Sequence, residues 1–183
     1  MAASGKKARR KQTFSAPSTV ITPPTTSTRF LQTTRIFGEV APYKPGTMFK
    51  NRDELSKARV HRPTMAGISG SKYEGADSIV LNGGYIDDED HWHLVLYTGH
   101  GGQDTNGRQI RDQQIEDSGN KALVLNHYFG LPVRVIRGYK GDPRWSPSWG
   151  YRYDGIYFVI KYWQEQGRDG YFICRYHLEI EIA

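Results

Sequence analysis

"YFICRYHLEIEI", Tyr171 to Ile182, decides the class of fold. Phe172, Cys174, Tyr176, Leu178, Ile180 and Ile182 fall on one face of an extended chain, and Arg175, His177, Glu179 and Glu181 on the other. That period of two belongs to a strand with one buried face; a helix would space its apolar positions by three and four. The pattern puts Cys174 on the core side as a packed, inert thiol. It is the chain's one cysteine, so an intrachain disulfide is impossible and an intracellular setting is favoured.

Upstream of it, "GIYFVIKYW", Gly155 to Trp163, is almost continuously apolar and aromatic, the pattern of a strand covered on both faces. "SIVL" (Ser78–Leu81), "HLVLY" (His93–Tyr97) and "PVRVIRGY" (Pro132–Tyr139) read as further strands. Two short helices fit between them. One opens at "NRDEL", where Asn51 caps and Glu54 follows three residues later as a capping box; the other, "NKALVLNHYF", stops before Gly130 and Pro132. No internal repeat is present. With 183 residues and 37% hydrophobic content, the chain has material for one sizeable core. The expected fold is a single α+β domain, residues 36–183, built on a twisted, barrel-like sheet flanked by short helices. No apolar run reaches the length of a membrane span.

Residues 1–35 differ in kind. They are rich in Ser, Thr, Pro and Lys without hydrophobic period, the composition of a disordered tail. "KKARRK", Lys6 to Lys11, suits a nuclear address, a nucleic-acid contact or a generic solubilising tail. Residues 1–38 hold seven basic side chains and no acid, so the other 145 residues, with 18 basic and 19 acidic side chains, carry a net −1. Within that near-neutral part, Arg134, Arg137, Lys140, Arg144 and Arg152 lie close enough in sequence to form one phosphate-binding edge, or else a dispersed solvated surface.

Catalytic patterns are missing. His91 and His93 make an H-x-H pair, but Leu94 to Thr98 holds no glutamate to complete a cupin-like metal site, so neither metal nor cofactor is expected. There is no G-x-S-x-G, P-loop or clustered Cys/His set. What stands out is "NGGYIDDEDHWHLVLYTGHGG", Asn82 to Gly102, with four acids, Asp87 to Asp90, between Tyr85 and Tyr97. Two tyrosines at facing strand ends can sandwich a planar ring, and an aspartate between them can accept from an exocyclic amine. Cytosine turned out of a duplex presents such an amine. Hairpin glycines and core tyrosines explain the same residues without a ligand.

Further motifs weight the choice. "RYDGIYFVIKYW" (Arg152–Trp163), "FGEV" (Phe37–Val40), "GTMF" (Gly46–Phe49), "VHRPTMAGISG" (Val60–Gly70) and "LNGGYIDDEDHWHLVLYTGHGGQD" (Leu81–Asp104) together closely resemble the SRA family, also called YDG after Tyr153-Asp154-Gly155. The resemblance covers residues 36–182 with the motifs in the family's order. It implies a twisted barrel-like sheet, no catalytic activity, and recognition of methylated cytosine in double-stranded DNA by base flipping. Carried over position by position, Tyr85 and Tyr97 resemble the stacking pair. Asp88 sits in the register of the cytosine-reading acid, with Asp87 as fallback, and the neighbouring acids are expected to face solvent. Gly83, Gly84 and Thr98 match the pocket's backbone wall, Gly99 and Gly101 the adjoining DNA-facing turn, and Met65 the wedge that fills the vacated stack. Tyr153, Asp154 and Gly155 are expected to hold the fold together.

The chain also departs from the family. Its loop "TNGRQIRDQQIEDSGNK", Thr105 to Lys121, lacks the Asn-Lys-Arg finger of the animal readers of hemimethylated sites, leaving Arg108 and Arg111 as substitutes. Asn82 and His100 replace small residues beside the methyl pocket, which opens the question of hydroxymethylcytosine. "YTGHGGQD" (Tyr97–Asp104) with "GRQIRDQQ" (Gly107–Gln114) is nearer to the SRA modules of bacterial modification-dependent endonucleases, although the HNH nuclease of those enzymes does not follow before Ala183. The expected function is therefore a non-enzymatic reader of 5-methylcytosine or 5-hydroxymethylcytosine in DNA, in the nucleus if eukaryotic and in the cytoplasm or nucleoid if bacterial. The alternative is the recognition module of an SRA–HNH restriction endonuclease.

Overall fold

The computed structural model describes residues 34–181. Lys6 to Lys11, nearly all of the basic tail, and Ile182 lie outside the described residues. In chain order the elements are β1 (Met48–Phe49), α1 (Arg52–Lys57), β2 (Ile68–Ser71), β3 (Gly75–Leu81), β4 (Glu89–Asp90), β5 (Leu94–Thr98), α2 (Ser118–Phe129), β6 (Val133–Gly138), β7 (Tyr151–Gln166) and β8 (Phe172–Ile180). The strands form one mixed sheet in the order β2-β3-β6-β7-β8-β5-β4, with β1 added to β7. All pairs are antiparallel except β3 with β6. β2 and β4 end the order without pairing to each other, so the sheet is open, and the class is α+β as expected.

Curvature comes from β7. Between β6 and β7, Arg134 pairs with Ile156 but Ile136 pairs with Tyr153, so β7 carries one extra residue. The bulge falls at Asp154-Gly155, where Gly155 takes φ +112, a conformation that a side chain would strain. An extra residue inverts the parity of the strand. Tyr151 and Tyr153 accordingly pack in one cluster with Val40, Phe49, Leu55, Val60, Val80 and Ile136. Tyr157 and Val159 pack in the other, with Ile79, Leu81, Val95, Leu123 and Tyr176 beneath α2. A second bulge between Val159 and Lys161 turns Ile160 outward. "GIYFVIKYW" is thus not covered on both faces throughout. Its unbroken apolar run records two face changes, and beyond Val159 the strand is largely exposed.

β8 follows its period of two where Cys174, Tyr176 and Leu178 are buried, with two corrections. Phe172 at the strand's start is half exposed, and Arg175, on the face expected to be wet, is buried. Both helices form where their caps place them. Asn51 Oδ1 accepts from the Glu54 amide at 3.0 Å, while Glu54 Oε2 accepts from the Lys50 amide at 2.7 Å, one residue earlier than a standard capping box. Gly130 closes α2, which packs on β2, β3 and β7.

Candidate nucleic-acid interface

A cavity of about 700 Å³ lies between the β3–β4 loop, β5 and the start of α2. Met65, Asn82, Gly84, Tyr85, Asp88, Tyr97 and His100 all line it, so most of the residues singled out from sequence come together. The loop is held in place locally. Gly83 at φ +69 approaches the Lys140 carbonyl so closely that a Cβ would collide with it, and Asn82 Oδ1 accepts from the Lys140 amide at 3.0 Å. Gln103 Nε2 donates to the Gly84 carbonyl at 2.8 Å, and the Gly101 amide donates to Tyr85 Oη at 3.0 Å. Tyr85 is thereby fixed at its hydroxyl end while its ring stays half-buried on the cavity. Tyr97, from the middle of the sheet, is only 3% exposed and belongs to the core as well as to the cavity wall.

Asp88 is half-buried among these groups. The Thr98 amide donates to its Oδ1 at 2.8 Å. Burial pushes its carboxyl up to about 7, against the lowering effect of the Thr98 hydrogen bonds and the Arg175 charge. Near neutral pH the group therefore exists in both protonation states.

The four consecutive acids do not share one environment. Asp87 Oδ1 accepts from the Arg168 amide at 2.9 Å and Glu89 is half exposed, taking a bond from Arg175 Nη2 at 2.8 Å. Asp90 does not face solvent as expected. It accepts from Arg137 Nε and Nη2, each at 2.7 Å, with both side chains buried. The same guanidinium reaches Asp154 at 3.1 Å and lies 4.7 Å from the Trp92 ring. Asp87, the fallback for base reading, points to Arg168 and does not line the cavity.

Other expected residues stand behind or beside the cavity. Thr98 is fully buried and braces Asp88; Gly83, Gly99 and Gly101 shape the turns that carry the lining residues. Arg108 and Arg111 are exposed, the former on a small loop closed by the Gln103–Gln109 bridge and the latter just beyond it. Met65, 90% exposed, stands at the rim. The sequence reading missed the wall supplied by Arg52, Gly67, Gln103, Ser118 and Gly119. Gly67 lay inside a quoted motif, and its close approach to Tyr97 Oη, 2.7 Å from where a Cβ would sit, is the physical reason for a glycine there.

The proposed phosphate edge does not form. Arg134 and Arg137 are fully buried, the former donating to the carbonyls of Val60, Ile36 and Gly38, and Arg152 is locked to Asp154. Arg144 is exposed but paired with Asp142 at 2.6 Å. His91 and His93 frame Trp92, and no group of three metal-ligating side chains gathers among the described residues.

The open, bulged sheet thus carries a cavity lined by two tyrosines and by a carboxyl whose pKa is raised. The chain belongs to the SAD/SRA domain family, which it matches over residues 36–181. It is 41% identical over 163 residues to the E3 ubiquitin-protein ligase UHRF1 of Rattus norvegicus, covering 78% of this chain and 21% of that protein. The chain thus spans about a fifth of the length of that relative. Among solved structures it resembles the modification-dependent TagI restriction endonuclease (46% identity, TM-score 0.79, covering 81% of this chain and 53% of that one). It also resembles the SRA domain of SUVH5 bound to fully hydroxymethylated CG DNA (36% identity, TM-score 0.69, covering 81% and 95%). The complex of that domain with fully methylated CG DNA matches similarly (37%, TM-score 0.67, 81% and 96%).

Proposed function

We propose that this chain reads modified cytosine in double-stranded DNA, turning the base out of the helix into the cavity between Tyr85 and Tyr97, without catalysing a reaction. The observation that carries the reading is the cavity itself, in which two tyrosines, a half-buried Asp88 and an exposed Met65 at the rim converge. The tyrosine rings supply stacking, worth about 1–3 kcal/mol per base, against an unstacking cost of a few kcal/mol. Asp88, fixed by Thr98 at Oδ1, keeps acceptor capacity for the cytosine N4 amine. Met65 is long, unbranched and apolar, suited to fill the gap left in the stack. The SUVH5 complexes with methylated and hydroxymethylated DNA support both modifications as ligands, and Asn82 and His100 offer polar contacts that a hydroxyl could use.

The test is binding to one duplex carrying cytosine, 5-methylcytosine or 5-hydroxymethylcytosine. Burying one methyl contributes roughly 0.8 kcal/mol, so a few-fold preference is expected from transfer alone. Tyr85→Ala and Asp88→Ala should each remove it. Retention of full preference by both variants contradicts the reading.

A second reading is favoured by the TagI likeness: the chain serves as the recognition module of a modification-dependent nuclease. Cleavage of modified plasmid by the natural full-length protein would establish it. Location follows the same division, nuclear for a chromatin reader and cytoplasmic for a restriction module. The ligase activity of UHRF1 is not assigned to this chain.

A further inference from the structure

Arg52 is the first residue of α1 and lines the cavity, yet it does something more specific than fill a wall. Its Nη2 donates to the carbonyls of both Pro63, at 2.9 Å, and Ala66. Those two residues bracket Thr64 and Met65, so one guanidinium clasps both ends of the loop that presents the exposed methionine. His61, fully buried, adds a bond from Nε2 to the same Ala66 carbonyl at 3.0 Å. One residue further on, the Val80 amide donates to the Gly67 carbonyl at 2.8 Å.

The clasp is electrostatically incomplete. Among the described residues no carboxylate pairs with Arg52; burial lowers its pKa, and the neighbours that counter this are Tyr151 and Tyr97. Its Nε is buried without a partner, and its guanidinium lies 5.8 Å from the Tyr151 ring centroid. Elsewhere in the fold the buried arginines have acids: Arg137 has Asp90 and Asp154, Arg134 has Asp77, and Arg175 has Glu89 and Glu165. A half-buried guanidinium left uncompensated beside an open cavity is unfavourable alone and favourable once an anion arrives.

We propose that Arg52 is a positioning residue that takes a phosphate of the DNA strand carrying the flipped base and, through Pro63 and Ala66, fixes the Met65 loop in the inserting position. The assignment rests on the flipped-base reading. It gives that reading a coupling: strand backbone, wedge and cavity are joined through one side chain. Lysine cannot reproduce it, because an ammonium lacks the planar fork that spans two carbonyls while facing a third acceptor.

The test uses the full chain and one duplex with a single 5-methylcytosine, with Kd measured across a salt series for wild type, Arg52→Met, Arg52→Lys, Met65→Ala and the Arg52→Met/Met65→Ala double variant. Losing one phosphate contact should reduce the slope of log K against log salt by about 0.9 in Arg52→Met, while Arg52→Lys keeps the wild-type slope. Because Arg52 acts through the Met65 loop, Arg52→Met should weaken binding at least several-fold on the wild-type background and distinctly less on the Met65→Ala background. A slope unchanged in Arg52→Met, or strict additivity in the cycle, overturns the proposal. Thermal melting checks folding; if Arg52→Met does not fold, the cycle is run with Arg52→Lys, where additivity again overturns it. If Met65→Ala and Asp88→Ala both leave methyl discrimination intact, the flipped-base reading itself has failed. If they abolish it while Arg52 is additive, this assignment alone has failed.

Discussion

Asp90→Ala should be among the most destabilising single changes in the acidic run, although its sequence neighbours make it look like any solvated acid. The carboxylate accepts two 2.7 Å bonds from Arg137 and one of 3.0 Å from the Trp92 amide. Truncation leaves the Arg137 charge, whose side chain is fully buried, with Asp154 as its one acidic partner at 3.1 Å. Asp154 is also shared with Arg152, so the local balance shifts from two acids per two arginines to one. Breaking one partner out of a buried pair costs about 3–5 kcal/mol, against a total of roughly 5–15 kcal/mol for a domain. At roughly 2–4 °C per kcal/mol for a chain of this size, the melting temperature should fall by about 6–20 °C. Glu89→Ala is the control, since its partly exposed pair with Arg175 is screened and worth about 1 kcal/mol or less. The assay is thermal unfolding followed by circular dichroism. If Asp90→Ala melts no lower than Glu89→Ala, the Arg137 network does not stabilise this fold and the reasoning is refuted.

Three further outcomes are expected. Asp88 has a folded-state pKa near 7 where an ordinary carboxyl sits at 3.8, so the native state disfavours its charge and loses stability as pH rises between those values. The loss is absent below about pH 4, complete above about pH 7 and worth roughly 4 kcal/mol at most; about two thirds of it falls between pH 5 and 8, and urea unfolding at those two values should show wild type losing that much more stability than Asp88→Asn. Gly155→Ala forces a side chain into the φ +112 bulge and should cost about 1–3 kcal/mol in the same assay; a neutral effect would mean that the bulge relaxes freely. Deleting residues 1–34 removes six of the seven tail charges and should weaken binding to methylated and plain duplexes alike, flattening the salt dependence while leaving their ratio unchanged.

The legible parts of this fold were those governed by local rules. The period of two placed β8, and the Asn51 and Gly130 caps placed both helices, because caps and alternation depend on residues a few positions apart. What escaped depends on distant partners. Arg137 meets Asp90 from 47 positions away and Arg175 meets Glu89 from 86, and no local pattern marks which acid in "DDED" will be met. The same distance hid the burial of Arg134 and Arg137, which read as part of a basic edge although Asp77 and Asp90 lie against them. β7 misled for another reason: a bulge changes which face a residue serves, so an alternating strand with two face changes looks continuously apolar. At the cavity, Tyr85 and Tyr97 flanking an aspartate were legible in the residues themselves, family resemblance singles out Asp88 and Met65, and the structure brings all four to one place. Arg52 gave no local sign, because its role lies in two carbonyls more than ten residues away.

The central claim is that a modified cytosine leaves the duplex and enters the cavity between Tyr85 and Tyr97. The direct measurement is fluorescence of a duplex with 2-aminopurine beside one 5-methylcytosine, titrated with the full chain. Unstacking of the methylated base should brighten the probe on binding, with a weaker rise for the unmethylated duplex at equal protein concentration and none with Tyr85→Ala. Tight, methyl-selective binding that leaves the probe as quenched as in free DNA would contradict the account.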